Sequence, residues 1–303
     1  MVLDSLFPVF ALIVLGSVLK RSKLTNEVFL KTSDRLVYFI LFPAMLFWKI
    51  GGAEPDKLTD WGYCQAAALA LMVICLAALA GIKLFKITDF QAGSFSQSCY
   101  RFNTYIGMAV ALNAAGEEGA RYFGILAGVL IPVINLVAVS TLIWYSGRDI
   151  NTRGRLRLTI TAVISNPLII ACVLGLLYAR FVGNFPVFLD NLLSLTSMAT
   201  LPLALISVGA ALSFDKLQGH VRASLIAAVF KLLLFPLVGY FFLRLLGVGG
   251  VPFLVTMIFF ALPTSASIYI LSSQLNSDTG LASASIVIST LLSFISLSVV
   301  LLL

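Results

Sequence analysis

Tyr100-Arg101-Phe102-Asn103-Thr104-Tyr105-Ile106-Gly107 decides how this chain folds. The stretch stands inside an apolar run over about residues 89–115, enough for a membrane span, which needs about 20 residues. An arginine at the centre of a bilayer costs about 2.5–3.5 kcal/mol on insertion scales. Asn103 offers the backbone an alternative to helical bonding, and Gly107 tolerates non-helical backbone. The stretch predicts a discontinuous membrane helix whose interruption holds polar groups at the midplane. Secondary transporters build substrate sites in that way.

The surrounding chain agrees with a lipid solvent. Of 303 residues, 60% are hydrophobic and 11% charged, against about 25% charged in soluble domains. At about 20 residues per span the length holds roughly ten spans and short loops. They are expected at about 3–20, 27–50, 61–83, 89–115, 119–146, 157–179, 186–213, 222–246, 250–275 and 279–303. Met1 to Phe7 lacks the basic start of a signal peptide, so the first span is read as one that stays. Cys64, Cys75, Cys99 and Cys172 lie far apart in apolar runs and read as small buried hydrophobes.

The net charge of +7 is spread over short loops, which excludes a nucleic-acid footprint. The first, third, fifth and seventh loops carry thirteen Lys and Arg, including Arg148, Arg153, Arg155 and Arg157. The alternate loops carry five: Lys49, Lys57, Arg121, Arg180 and Arg244. The positive-inside rule then puts the odd loops in the cytoplasm and both termini on the outer side of the cell (inner) membrane. The second loop, over residues 53–60, is acidic, as an outer loop can be.

The chain also repeats itself. Pro8, Gly16 and Pro43 stand 159 residues before Pro167, Gly175 and Pro202. Asn103 and Gly119 stand 161 before Thr264 and Gly280. Such a set, in one order and at nearly one offset, predicts two halves: residues 1–146 and 157–303, joined by a cytoplasmic linker over 147–156. Five spans is an odd number, so the second half would enter the membrane inverted. The expected fold is an all-α polytopic membrane protein of ten helices in two inverted five-helix repeats. Pro43 and Pro202 are expected to break the second and seventh spans, while Pro132 and Pro236 read as packing kinks. The ninth span carries Phe260-Ala261-Leu262-Pro263-Thr264-Ser265-Ala266-Ser267. Its proline ends the helix, and its hydroxyls can satisfy the freed backbone groups.

At these residues the chain resembles the auxin efflux carrier family of bacterial permeases, relatives of the plant PIN proteins. The motifs are Arg101 to Ala109 in the fourth span and Ala261-Leu262-Pro263 in the ninth, supported by Leu41-Phe42-Pro43-Ala44 and Asn166-Pro167-Leu168-Ile169. The resemblance implies a scaffold of spans 1, 2, 6 and 7, and a moving transport domain of spans 3–5 and 8–10 with broken helices 4 and 9 crossing. It implies carriage of organic anions, such as malonate or other carboxylates in bacteria and auxin in plants. Where the family commonly has proline, this chain has Ala109, so Gly107 and Asn103 are expected to supply the break.

The chemistry of the residues fits an anion. Arg101 keeps its charge and offers a planar fork to a carboxylate. Snorkelling is the plain alternative, but Arg101 lies about 12 residues from either end of its span, which is deep for it. Asn103 both donates and accepts. Thr104, Gly107, Pro263, Thr264 and Ser265 complete the candidate substrate site. Lys231, mid-span in the eighth helix, is a candidate for coupling or charge sensing, with a structural contact to backbone carbonyls as the alternative. No Asp or Glu lies at the centre of any span; Asp34 comes closest. His220 reads as a solvated loop residue.

No nucleotide P-loop, HExxH, GxSxG or metal constellation appears, so neither an enzyme nor a cofactor is expected. The expected partners are a small organic anion and the lipid bilayer. A proton or sodium ion stays open for coupling, and a homodimer for assembly. The alternatives are a sodium-coupled symporter of the bile-acid type, a non-transporting membrane receptor and an intramembrane enzyme.

Overall fold

The computed structural model describes residues 2–52, 61–145, 161 and 165–303. The acidic second loop, the linker over 147–156 with Arg148, Arg153 and Arg155, and most of residues 157–164 lie outside the described residues. The described chain is helical, with no strand among the described residues. Six stretches among them are long and apolar enough to cross a membrane: Val2–Arg21, Gly62–Leu84, Asp89–Tyr145, Val187–Ala211, Val221–Leu245 and Thr279–Leu301. Shorter apolar helices run over Pro167–Phe181 and Gly250–Ala261. This is a multi-pass membrane protein.

The helices are α1 (Val2–Arg21), α2 (Glu27–Leu36), α3 (Phe42–Gly51), α4 (Gly62–Leu84), α5 (Asp89–Tyr100) and α6 (Thr104–Tyr145). Then follow α7 (Pro167–Phe181), α8 (Val187–Ala211), α9 (Val221–Val229), α10 (Phe235–Leu245), α11 (Gly250–Ala261), α12 (Ser267–Gln274) and α13 (Thr279–Leu301). Three of their starts carry a side-chain cap. Asn26 accepts from the Phe29 amide at 2.8 Å, Asn166 from Leu168 at 2.9 Å and Asp278 from Leu281 at 2.9 Å. Pro167 at the first position of α7 loses no helical bond. The chain turns inside α6 at Ala115 and Gly116, where Gly116 has φ +61°, a conformation that favours glycine.

The prolines expected to break the second and seventh spans do not. Ahead of Pro43 the helix widens into a π-turn, Val37–Leu41, that joins α2 to α3. The same happens at Phe230–Leu234 ahead of Pro236, joining α9 to α10. A proline ring clashes with the carbonyl four residues back, and a wider turn relieves the clash without ending the helix. Pro202 lies within α8, which continues past it.

Contacts divide the chain into two compact units. The first comprises Met1–Trp61, Tyr105–Val129 and Ile164–Ala211. Here α1 and α8 touch backbone to backbone. A Cβ on Gly16 would stand 2.0 Å from the Ile206 carbonyl oxygen, and one on Gly209 1.8 Å from that of Ile13. Only glycine permits this approach, as small residues do at membrane helix interfaces generally. Likewise α3 packs on α7, where a Cβ on Gly175 would stand 3.0 Å from the Ile50 Cβ. At the end of α3, buried Lys49 pairs with Glu117 and lies 3.9 Å from the Trp48 ring centre. The Trp48 indole donates to Asp190 at 2.7 Å.

The second unit comprises Gly62–Thr104, Leu130–Val163 and Leu212–Leu303. Its interior mixes rings with hydroxyls. Phe102 meets Phe259 edge to face at 4.5 Å. Ser94 donates to the Ser272 hydroxyl at 2.8 Å and lies 3.0 Å from that of Ser277. Buried hydroxyls in lipid-embedded helices need such partners because no water supplies them. His220 is not simply solvated: its Nε2 lies 3.2 Å from Asp278 Oδ2, which also accepts from Gln91 at 3.3 Å. The four cysteines are buried, and no disulfide joins them among the described residues.

Candidate functional site

Two interruptions meet inside the second unit. The first separates α5 from α6 at Arg101-Phe102-Asn103, and the second separates α11 from α12 at residues 262–266. Arg101 leaves α5 with φ −65° and ψ 152°; Leu262 leaves α11 with φ −65° and ψ 149°. Leu262 is extended because the ring of Pro263 excludes the helical conformation from the residue before it. Arg101 reaches the same conformation with no proline nearby. The two interruptions are joined: the Asn103 amide donates to the Pro263 carbonyl at 2.9 Å.

The arginine side chain spans both interruptions. Arg101 is 5% exposed. Its Nη1 donates to the Ser267 hydroxyl at 3.1 Å, and its Nη2 donates to the Asn135 side-chain oxygen. Both of these acceptors are neutral. Ser267 opens α12 and Thr104 opens α6, so the positive ends of two half-helices lie at this region. Ser265 adds its hydroxyl 2.8 Å from that of Ser267. The cluster is a concentration of donors with a fixed cation, the chemistry that holds a carboxylate.

Side chains satisfy two of the carbonyls released at the end of α11. Lys231 donates to Phe260 O at 2.8 Å, and Ser296 donates to Ala261 O at 2.8 Å. The Thr264 amide donates to the Ser289 hydroxyl at 3.1 Å. Lys231 is fully buried, and its ammonium also stands 4.7 Å over the Phe235 ring. A cation at a helix C-terminus meets the negative end of its dipole. Its neighbours therefore fit the structural contact to a backbone carbonyl that the sequence left open.

Of the residues singled out in the sequence, the structure brings Arg101, Asn103, Thr104, Pro263, Thr264 and Ser265 to the joined interruptions. Gly107 is not at the break. The helix resumes at Thr104, so Gly107 lies within α6, nearly a turn on. The break needs no glycine, since an extended φ near −65° is open to any residue. Sequence reasoning missed Asn135, Ser289 and Ser296, and it named Ser267 only among the hydroxyls of the ninth-span break. Asn135 left a signal, as the one side-chain amide between residues 114 and 145. The serines left little, because single hydroxyls are common in membrane helices.

Comparison with known proteins settles the grouping. The family model described as "Membrane transport protein" matches residues 1–301. The chain belongs to this membrane transport protein family. It is the auxin efflux carrier grouping that the motifs resemble. Among curated relatives, the chain is similar to an uncharacterised transporter of Methanocaldococcus jannaschii, 24% identical over 300 residues, covering 97% of this chain and 96% of the relative. It is also similar to an uncharacterised transporter of Methanothermobacter thermautotrophicus, 24% identical over 306 residues, covering 97% and 95%. The family and these relatives indicate transport rather than catalysis.

Proposed function

We propose that this family member is a secondary active transporter for small organic anions, mono- or dicarboxylates of malonate-like or auxin-like type. The observation that carries the reading is the Arg101 guanidinium, buried and held on the neutral oxygens of Asn135 and Ser267 where α6 and α12 begin. A bound carboxylate would meet a fixed planar fork and two helix N-termini together. Arg101, Asn103, Thr104, Thr264 and Ser265 would contact the anion, with Pro263 shaping the break.

The proposed architecture has ten spans in two inverted repeats, with both termini on the outer side of the inner membrane. Three observations support the repeat. The helices flanking the interruptions, Asp89–Tyr100 and Gly250–Ala261, are both 12 residues long and stand at one offset. The residues that end them, Arg101 and Leu262, share a backbone conformation. Gly16 lies against the backbone of Ile206, and its counterpart Gly175 would place a Cβ 3.3 Å from the carbonyl of Phe47, 159 residues before Ile206. In the proposed alternating access of elevator type, spans 3–5 and 8–10 move and spans 1, 2, 6 and 7 stay.

Sodium coupling is the second reading. It draws on buried oxygens without a hydrogen-bond partner among the described residues: Gln97 Oε1, Thr264 Oγ1 and Thr290 Oγ1. Such oxygens suit a small hard cation. The test is a thermal-shift screen of purified protein against carboxylates, then proteoliposome flux of the hits with and without sodium and a pH gradient. A stabilising carboxylate that is also transported supports the proposal. Binding without flux points to a receptor, and no response to any carboxylate overturns the substrate class.

A further inference from the structure

Helix α9 packs on α13, with the hydroxyls of Ser285 and Ser224 bonded at 3.2 Å. Past the π-turn Phe230–Leu234 and Pro236, its continuation α10 packs on α4 and α11 instead. The two walls diverge there and leave a groove of about 750 Å³. Leu233, Leu237 and Tyr240 line one wall, Ile295 the other, and Met257 the floor. Leu233, Leu237 and Ile295 are more than half exposed. Along the first wall the lining runs from Leu225 to Tyr240, about 22 Å at 1.5 Å per residue. One leaflet of hydrocarbon is about 15 Å deep, half of a bilayer core of about 30 Å. The groove therefore has the length and the apolar lining for an acyl chain, while water would find almost no polar partner in it.

A charge stands beyond one end of the groove. Arg244, in the last turn of α10, lies four residues past Tyr240. Its guanidinium is 5.0 Å from the ring centres of both Tyr240 and Phe253, and no carboxylate pairs with it among the described residues. Two rings hold the planar fork in place without neutralising it. Arginine and aromatic side chains at a helix end mark the headgroup level of a membrane. A guanidinium there fits a phosphate in bidentate fashion.

We propose that this groove is a specific phospholipid site, with one acyl chain lying along α9 and α10 and the lipid phosphate on Arg244. Bulk lipid would wet any exposed face, whereas this site selects a position and a headgroup.

The test uses the full chain in proteoliposomes with phosphatidylglycerol carrying a photoreactive group on its acyl chain. After irradiation, labelled peptides are mapped by mass spectrometry. Label should concentrate on residues 225–240 and 292–303 over other exposed apolar positions such as Val14 and Met198. Unlabelled phosphatidylglycerol should displace it, and inorganic phosphate should not. Arg244→Ala should weaken retention about tenfold, the scale of one charge-assisted contact, and Arg244→Lys should weaken it less. Leu233→Trp with Ile295→Trp should fill the groove and abolish labelling there, while the melting temperature in detergent stays near wild type. Even labelling of all lipid-facing surfaces, or labelling unchanged in Arg244→Ala and in the filled variant, overturns the proposal. So does a cross-linked dimer through these residues, which would make the occupant a second copy.

Discussion

The backbone amide of Asn103 donates to the backbone carbonyl of Pro263 at 2.9 Å, so two interrupted helices from opposite halves of the sequence are tied at their breaks. A carbonyl just past the end of α11 would otherwise be buried without a partner, which costs about 1–3 kcal/mol. The bond therefore fixes the spacing of the two helix starts around Arg101. Pro263→Ala restores an N–H and removes the ring that keeps Leu262 extended. Carboxylate uptake in proteoliposomes should fall at least severalfold, while the melting temperature changes little. Wild-type uptake by this variant would show that the break does not depend on the proline.

Asn135 separates a positioning role from general packing. Asn135→Leu removes an acceptor for Arg101 and should weaken carboxylate binding about tenfold, the scale of one hydrogen bond to a charged group. Asn135→Asp replaces the amide with a carboxylate beside the guanidinium. It should hold or raise the melting temperature yet abolish uptake, because the new carboxylate occupies the fork meant for substrate. Isothermal binding and flux on both variants check this, and uptake by Asn135→Asp equal to wild type would contradict it.

Lys231 should prove structural. Lys231→Met removes the donor to Phe260 O at the end of α11. The fold should lose about 1–3 kcal/mol, seen as a lower melting temperature, and the protein that survives should keep the ion dependence of wild type. An unchanged melting temperature with altered ion dependence of flux would assign Lys231 to coupling instead.

The contact between α1 and α8 predicts an asymmetry among glycines. Gly209→Ala drives a carbon into the Ile13 carbonyl and should cost about 1–3 kcal/mol or more, the scale of overpacking. Gly249→Ala meets nothing within 4 Å, in an extended conformation that any residue adopts, and should cost only the preference of an N-cap for glycine over alanine, about 0.5 kcal/mol. Thermal melts of the two variants in one detergent make the comparison.

The sequence made both interruptions legible for different reasons. Arg101 and Asn103 announce theirs as polar groups too costly for hydrocarbon, and Pro263 announces the other by its missing donor. Of the two residues expected to supply the first break, Asn103 stands in it and Gly107 does not, because an extended φ near −65° leaves no glycine signature. The π-turns were illegible, since Val37–Leu41 and Phe230–Leu234 are ordinary helix-forming sequence and only the prolines two residues beyond them matter. Partners across the fold, such as Ser267 for Arg101 and Asp278 for His220, depend on packing between distant segments, which periodicity within one span does not report.

The central claim is that Arg101 binds a substrate carboxylate, and parallel measurement of melting temperature and carboxylate uptake on Arg101→Lys and Arg101→Ala tests it most directly. Lysine keeps the charge but loses the planar fork, so uptake should fall even though charge survives. Alanine should lose more, on the order of 2–5 kcal/mol for one partner of a buried charge pair. In both variants the melting temperature should move less than uptake does. Carboxylate transport by Arg101→Ala at near-wild-type rates would contradict this role, as would unfolding of both variants with normal transport by the surviving protein.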